Sequence, residues 1–173
     1  MSTETKRSIG AHVFAELLAY NPETGVLNWK ARRGSAGAGR EAGRVWRSPD
    51  TGKAYRLVMV HRRLWRSHVI AFCIMEGRWP DGEVDHRDGD GLNNRWGNLR
   101  ESTKSQNQAN AKTRSDSRTG IKGVQWRDGI GWVARIQHEK QRRHLGVFKT
   151  KEAAAAAYGR AASELFGEFA RVS

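Results

Sequence analysis

The chain has 173 residues, with 31 Lys and Arg against 18 Asp and Glu, a formal net charge of +13 and a single cysteine. That length suits one ordinary domain or two small ones. One cysteine excludes a disulfide framework and a cysteine zinc cluster. No run nears the ~20 apolar residues of a membrane span, and the polar start is not a secretory signal, so a cytoplasmic protein without membrane partners is expected. A pI near 10.7 points to polyanions, nucleic acid foremost. The charges spread along the chain instead of striping one helix, which argues against a membrane-surface segment.

The first region opens with "IGAHVFAELLAY", where Val13, Phe14, Leu17 and Leu18 fall at helical spacing. "NPETGVLNWK" reads as a turn at Gly25 leading into a strand, and "ARRGSAGAGREAGRVW" as a Gly- and Arg-rich loop. "KAYRLVMV" and "RRLWRSH" flank a tight turn near His61 and predict a hairpin. An apolar helix, "SHVIAFCIMEG", ends at Gly77 and Pro80 and buries Cys73. Trp29, Trp46, Trp65, Trp79 and Trp96 are expected in core or hairpin packing and not as base-stacking platforms.

Then comes "EVDHRDGDGLNNRWGNLR", a crowd of acids and amides around one Asp-His pair. A calcium loop of the EF-hand type starting at Asp88 fails, because Leu92 and Asn93 stand where an acid or amide and then a glycine are required, and Leu99 where the bidentate Glu belongs. Asp88, Asp90, Asn93 and Asn94 read as turn formers. Strands are expected at 83–88 and 98–101, followed by a helix over "STKSQNQANAK" capped by Ser102 or Thr103. "TRSDSRTG" has no apolar residue and marks a linker at 114–119.

Within the strand, loop, strand, helix order, His86, Asn98 and Asn107 are separated by eleven and eight residues. With the Asp-His pair, the N-N-R and the N-L-R, the stretch "EVDHRDGDGLNNRWGNLRESTKSQNQANAK" resembles the HNH endonuclease family of phage and intron-encoded type. "YRLVMVHRRLWRSHVIAFCIMEGRWPDG" resembles the segment leading into that motif. The resemblance implies an α+β protein with a ββα-metal (His-Me finger) core and a β-rich N-terminal part, spanning 1–113 with the motif at 83–113. It implies His86 as general base, Asn98 as the residue that holds the loop and aims His86, and Asp85 and Asn107 as oxygen ligands of one divalent ion. Hard oxygens suit Mg²⁺ or Mn²⁺, and an amide in place of a third-position histidine argues against zinc. Successive strand residues point to opposite faces, so Asp85 and His86 face one metal only at a distorted strand end. Arg95 is expected on a phosphate, and His68, which family members also carry, in packing.

Residues 120–173 read as three strands, "KGVQWRD", "GWVARIQHE" and "RRHLGVF", then a helix over "TKEAAAAAYGRAASELFG" capped by Thr150. "GVQWRDGIGWVARIQ", "HLGVF" and "KEAAAAAYGRAASELFGEFA" resemble the plant ethylene-response-factor (Apetala-two) DNA-binding domain, a three-stranded antiparallel sheet packed on one helix. Alternation turns Val124, Trp126, Trp132, Ala134, Ile136 and Leu145 toward the helix. It turns Gln125, Arg127, Val133, Arg135, Gln137, Arg142 and His144 outward, onto the face that reads DNA in that family. Gln125, Gly129 and His144 depart from the plant pattern, so its target sequence does not carry over.

The expected activity is hydrolysis of a phosphodiester in double-stranded DNA by a monomer or homodimer, of nicking or homing type, in a bacterial or phage-infected cell. The competing expectation is a non-catalytic DNA-binding regulator with a decayed nuclease fold. The joint presence of Asp85, His86 and Asn107 favours the enzyme.

Overall fold

A computed structural model describes residues 9–32, 34, 37–49, 51–113, 117–139 and 141–172. Parts of the Gly- and Arg-rich loop (33, 35 and 36) and of the expected linker (114–116) lie outside the described residues. The chain forms two compact units, Met1–Glu101 and Ser102–Ser173.

In the first unit, α1 (His12–Leu17) gives way to β1 (Leu18–Tyr20), which pairs antiparallel with β2 (Leu27–Trp29). The helical spacing therefore stops one turn short of its apolar run: Leu18 is buried from an extended backbone, not from the helix. Strands β3 (Arg44–Arg47), β4 (Ala54–Val60) and β5 (Arg63–Arg66) form an antiparallel sheet in that order. The β4–β5 turn places His61 and Arg62 at φ 49° and 63°, the pair of left-handed residues that a two-residue hairpin requires. Helix α2 (Ser67–Glu76) follows, closed by Gly77 at φ 67° with its N–H on the Cys73 carbonyl, a left-handed stop that glycine adopts without a Cβ clash.

Phe14, Leu18, Leu27, Val58, Val60, Trp65 and Ile70 make the main core of this unit. Phe14 meets Trp65 and Trp79 edge to face at 5.5 and 5.6 Å, and the two indoles lie tilted to each other at 5.3 Å. A smaller cluster of Ala71, Phe72, Val84 and Leu99 seats α2 beneath the paired strands β6 (Glu83–His86) and β7 (Leu99–Ser102). Trp29 and Trp65 are buried as expected, but Trp46 is 39% exposed, since its strand lies at the sheet edge.

Helix α3 (Lys104–Asn110) starts at Thr103, which forms a capping box with Gln106. The units divide ahead of the expected linker because α3 shares the second unit's core. Ala109 packs there with Val124, Tyr158 and Phe169, and the Ala109 carbonyl accepts from Lys122 Nζ. Strands β8 (Val124–Arg127), β9 (Gly131–His138) and β10 (Gln141–Phe148) form an antiparallel sheet with β9 central. Helix α4 (Lys151–Phe166), capped by Thr150 Oγ1 on Ala153 N at 3.1 Å, lays Ala154, Tyr158, Ala161, Ala162 and Phe166 on it.

Candidate active site

The turn joining β6 to β7 is built from its own polar side chains. Asp88 Oδ1 accepts from the Asp90 N–H at 2.8 Å and from Asn98 Nδ2 at 3.0 Å, and its Oδ2 from Asn93 Nδ2 at 2.7 Å. Asn98 also donates to the Asn93 carbonyl at 2.8 Å and accepts from the Asp88 N–H at 3.1 Å. Burial pushes the Asp88 carboxyl up, but these hydrogen bonds outweigh it and hold the group below its ordinary value. Asp88 and Asp90 are brackets of the loop, and Asn98 clasps its two ends.

At the end of β6, His86 is buried and its Nε2 lies 3.1 Å from Asn94 Oδ1. Asn94 Nδ2 donates to the Leu92 carbonyl, which fixes the amide with its oxygen toward the ring. An amide oxygen only accepts, so Nε2 carries the proton and the ring's lone pair sits on Nδ1. Asn94 thus meets the His86 ring directly, while Asn98 bonds the loop around it.

Asn94 is in turn buttressed by the β1–β2 hairpin. Tyr20 Oη donates to the Asn94 carbonyl at 2.6 Å, and the Trp96 N–H donates to the Pro22 carbonyl at 2.9 Å. Gly25, at φ 76°, comes so close that an added Cβ would lie 2.5 Å from the Asn94 carbonyl carbon. Burial pushes the Tyr20 phenol up to about 12, which keeps it a neutral donor.

Behind His86, the buried His68 ring meets it edge-on at 4.6 Å and 83°, and Tyr55 lies 5.8 Å from His68 and 6.5 Å from His86. Burial lowers the His86 pKa below its ordinary value, against the raising pull of Asn94 and of Asp88, Asp85 and Asp90. Burial, then His86 and Arg66, take His68 well below its ordinary value. Both rings are neutral near pH 7. His68 packs, as expected, but it packs against the motif histidine itself.

Asp85 is buried and receives Nε and Nη2 of the equally buried Arg100, each at 3.1 Å from its Oδ2. Pattern alone gives Arg100 no role, because hydropathy cannot separate it from a solvated arginine. Asp85 and His86 thus turn to different partners, Arg100 on β7 and Asn94 in the loop. These two contacts on one oxygen fix the position of the carboxylate. As chemistry, a fixed carboxylate and an amide are hard oxygen donors fit for Mg²⁺ or Mn²⁺. Among the described residues no three His, Cys, Asp or Glu side chains converge as a metal-holding cluster. Asn107 stands half-buried on α3 in the second unit, and Arg95 is exposed at the start of the turn Trp96–Asn98.

In the second unit the strand register sorts the faces. Gln125 pairs with Val133, Arg142 with Gln137 and His144 with Arg135, all on the side away from α4. A bulge between His144 and Gly146 lets Leu145 turn to the core. Gln125, Arg127, Arg135, Gln137 and Arg142 line one concavity of about 430 Å³, together with Ser105 and Gln108 of α3. Two expectations need correcting. Val133 points outward by alternation yet is 3% exposed; Trp126, on the helix side, is 53% exposed. Trp126 stands at the sheet's end, edge-on to Trp132 at 5.4 Å, with Nε1 donating to Asp128.

The HNH endonuclease family's sequence profile matches residues 58–109, the span from β4 through most of α3. The chain is 39% identical over 126 residues to an uncharacterized HNH endonuclease of Acanthamoeba polyphaga mimivirus, covering 71% of this chain and 59% of that protein. It is 32% identical over 108 residues to protein 3.8 of Escherichia phage T7, covering 61% of this chain and 88% of the phage protein. No solved structure matches. The match at residues 58–109 marks an HNH endonuclease domain within the chain, and the mimivirus relative carries the same family name. No helix among the described residues is long and apolar enough to cross a membrane.

Proposed function

We propose that this protein is a divalent-metal-dependent endonuclease that hydrolyses a phosphodiester in double-stranded DNA. The observation that carries the reading is His86, neutral, buried and held through Nε2 by Asn94. With the proton on Nε2, Nδ1 is in the protonation state to take the proton of an attacking water. As the water oxygen bonds to phosphorus, the 3′ oxygen leaves and His86 keeps the proton. Asp85 and Asn107 would hold Mg²⁺ or Mn²⁺, which when bound neutralises phosphate charge and stabilises the leaving oxygen. Arg100 keeps Asp85 aimed; Asn98 keeps the loop in the shape that presents Asn94 to His86.

The second unit supports a docking role. Three strands on one helix carry Arg127, Arg135, Gln125, Gln137, Arg142 and His144 on the face away from that helix, which would suit a DNA groove in the Apetala-two manner. Arginine forks match guanine edges or phosphates, and glutamines match adenine. Arg95, exposed beside the catalytic loop, adds a phosphate contact. One such centre on a monomer nicks; a homodimer makes paired cuts, as a free-standing homing-type enzyme would.

The test is relaxation of supercoiled plasmid with Mg²⁺ or Mn²⁺, wild type against His86→Ala. Loss of general-base catalysis lowers the rate by about 10²–10⁴-fold. Cleavage undiminished in a fully folded His86→Ala protein rejects the reading.

A further inference from the structure

The sheet β3–β4–β5 has two unlike faces. Val58, Val60 and Trp65 fill the core from one, where Arg56 also pairs with Glu41 at 2.9 Å. The register puts Arg44, Leu57 and Arg66 in one row of the other face, Trp46 and Tyr55 in the next, and Met59 and Leu64 in a third. Arg44, Trp46, Met59, Leu64 and Arg66 are exposed. This face carries no carboxylate, and neither arginine makes an ion pair with a described residue. Arg66 lies over the Tyr55 ring, its guanidinium carbon 4.6 Å from the centroid.

The face runs into the candidate active site. Tyr55 is in ring contact with His86 and His68, and the loop residue Gly91 approaches so closely that a Cβ there would collide with the Ala54 carbonyl and the Tyr55 ring. From Tyr55 to Met59 the strand covers about 13 Å at ~3.3 Å per residue, the rise of about four nucleotides at 3.4 Å per step. Arg44 and Arg66, two strand spacings apart, are separated by about 10 Å, within reach of successive phosphates of one DNA strand.

We infer that this outer face of β3–β4–β5 is a second DNA-docking surface, holding the duplex beside the scissile phosphate through Arg44 and Arg66, with Trp46 against sugar or base. The inference rests on the nuclease reading for its occupant. Charge complementarity selects a polyanion, and continuity with Tyr55 and His86 selects the strand that is cut.

Binding without cleavage separates the two ideas. Full-length protein carrying His86→Ala, in EDTA, is titrated into a fluorescently labelled 30-base-pair duplex across a salt series. Adding Arg44→Ala with Arg66→Ala is expected to weaken binding at least tenfold and to flatten the log K against log salt slope by about 1.8, two phosphate contacts at ~0.9 each. Trp46→Ala is expected to weaken binding while leaving that slope unchanged. Unchanged affinity and slope in the double arginine variant, with its circular dichroism intact, overturns the inference. So does an equal loss from Arg62→Ala with Arg160→Ala, which removes the same charge elsewhere. If the chain with His86 cuts no DNA while the arginine pair still governs binding, the nuclease reading falls and the docking face stands.

Discussion

The two polar regions of this protein are built in opposite ways. Around β6 and β7, Asp85, His86, Asn94 and Arg100 are buried, and each is held by a named neighbour. On the outer face of β8–β10, Gln125, Arg127, Gln137, Arg142 and His144 are exposed on regular strands. Buried groups cost free energy unless paired, so the first region is fixed in geometry and intolerant of loss. An exposed arginine face is adaptable, and each member contributes a small, salt-sensitive share. The first arrangement suits a chemical step, the second suits grip.

The contrast can be broken at graded cost. The largest effect is expected for Arg100→Ala, which strands the buried Asp85 charge and should lower stability by about 3–5 kcal/mol in urea denaturation. Asp85→Asn with Arg100→Ala should recover part of that loss, because no charge is then left unpaired.

Acid should act on the same region. His68 and His86 both have folded pKa values below the ordinary histidine value, chiefly through burial. Their contribution is therefore full above about pH 6.5 and is lost as pH falls through the folded values, because the unfolded chain binds protons that the native rings refuse. Urea midpoints at pH 8 and pH 5 should differ, and His68→Gln should narrow the difference.

Asn94→Ala is expected to reduce plasmid cleavage by about 10–100-fold, the usual cost of losing a residue that orients a reacting group in such a centre. Asn94→Asp, which keeps an acceptor toward Nε2, should retain more activity than the alanine variant. The smallest effect is expected on the sheet face. Arg142→Ala should weaken duplex binding several-fold and flatten the salt slope by about one contact, ~0.9, with plasmid cleavage at saturating protein unchanged.

The elements were largely legible because their signals are local. The β4–β5 hairpin, the stop at Gly77, the Thr103 and Thr150 caps and the Asp88 turn all follow from residues within a few positions of one another. The first helix was not: Leu18 and Tyr20 leave the helical spacing because pairing with Trp29 and Leu27 outweighs local propensity.

The amino-acid sequence by itself determined the order in which Asp85, His86, Asn98 and Asn107 occur, and the alternation that sorts the two faces of the C-terminal sheet. Only tertiary structure decided who holds whom. Asn94 rather than Asn98 meets His86, Arg100 meets Asp85, His68 backs the motif histidine, and Tyr20 and Gly25 brace the loop from seventy residues away. Spacing encodes strand and helix faces, but burial and long-range hydrogen bonds depend on which chain segments meet, and that information is carried by the packed core.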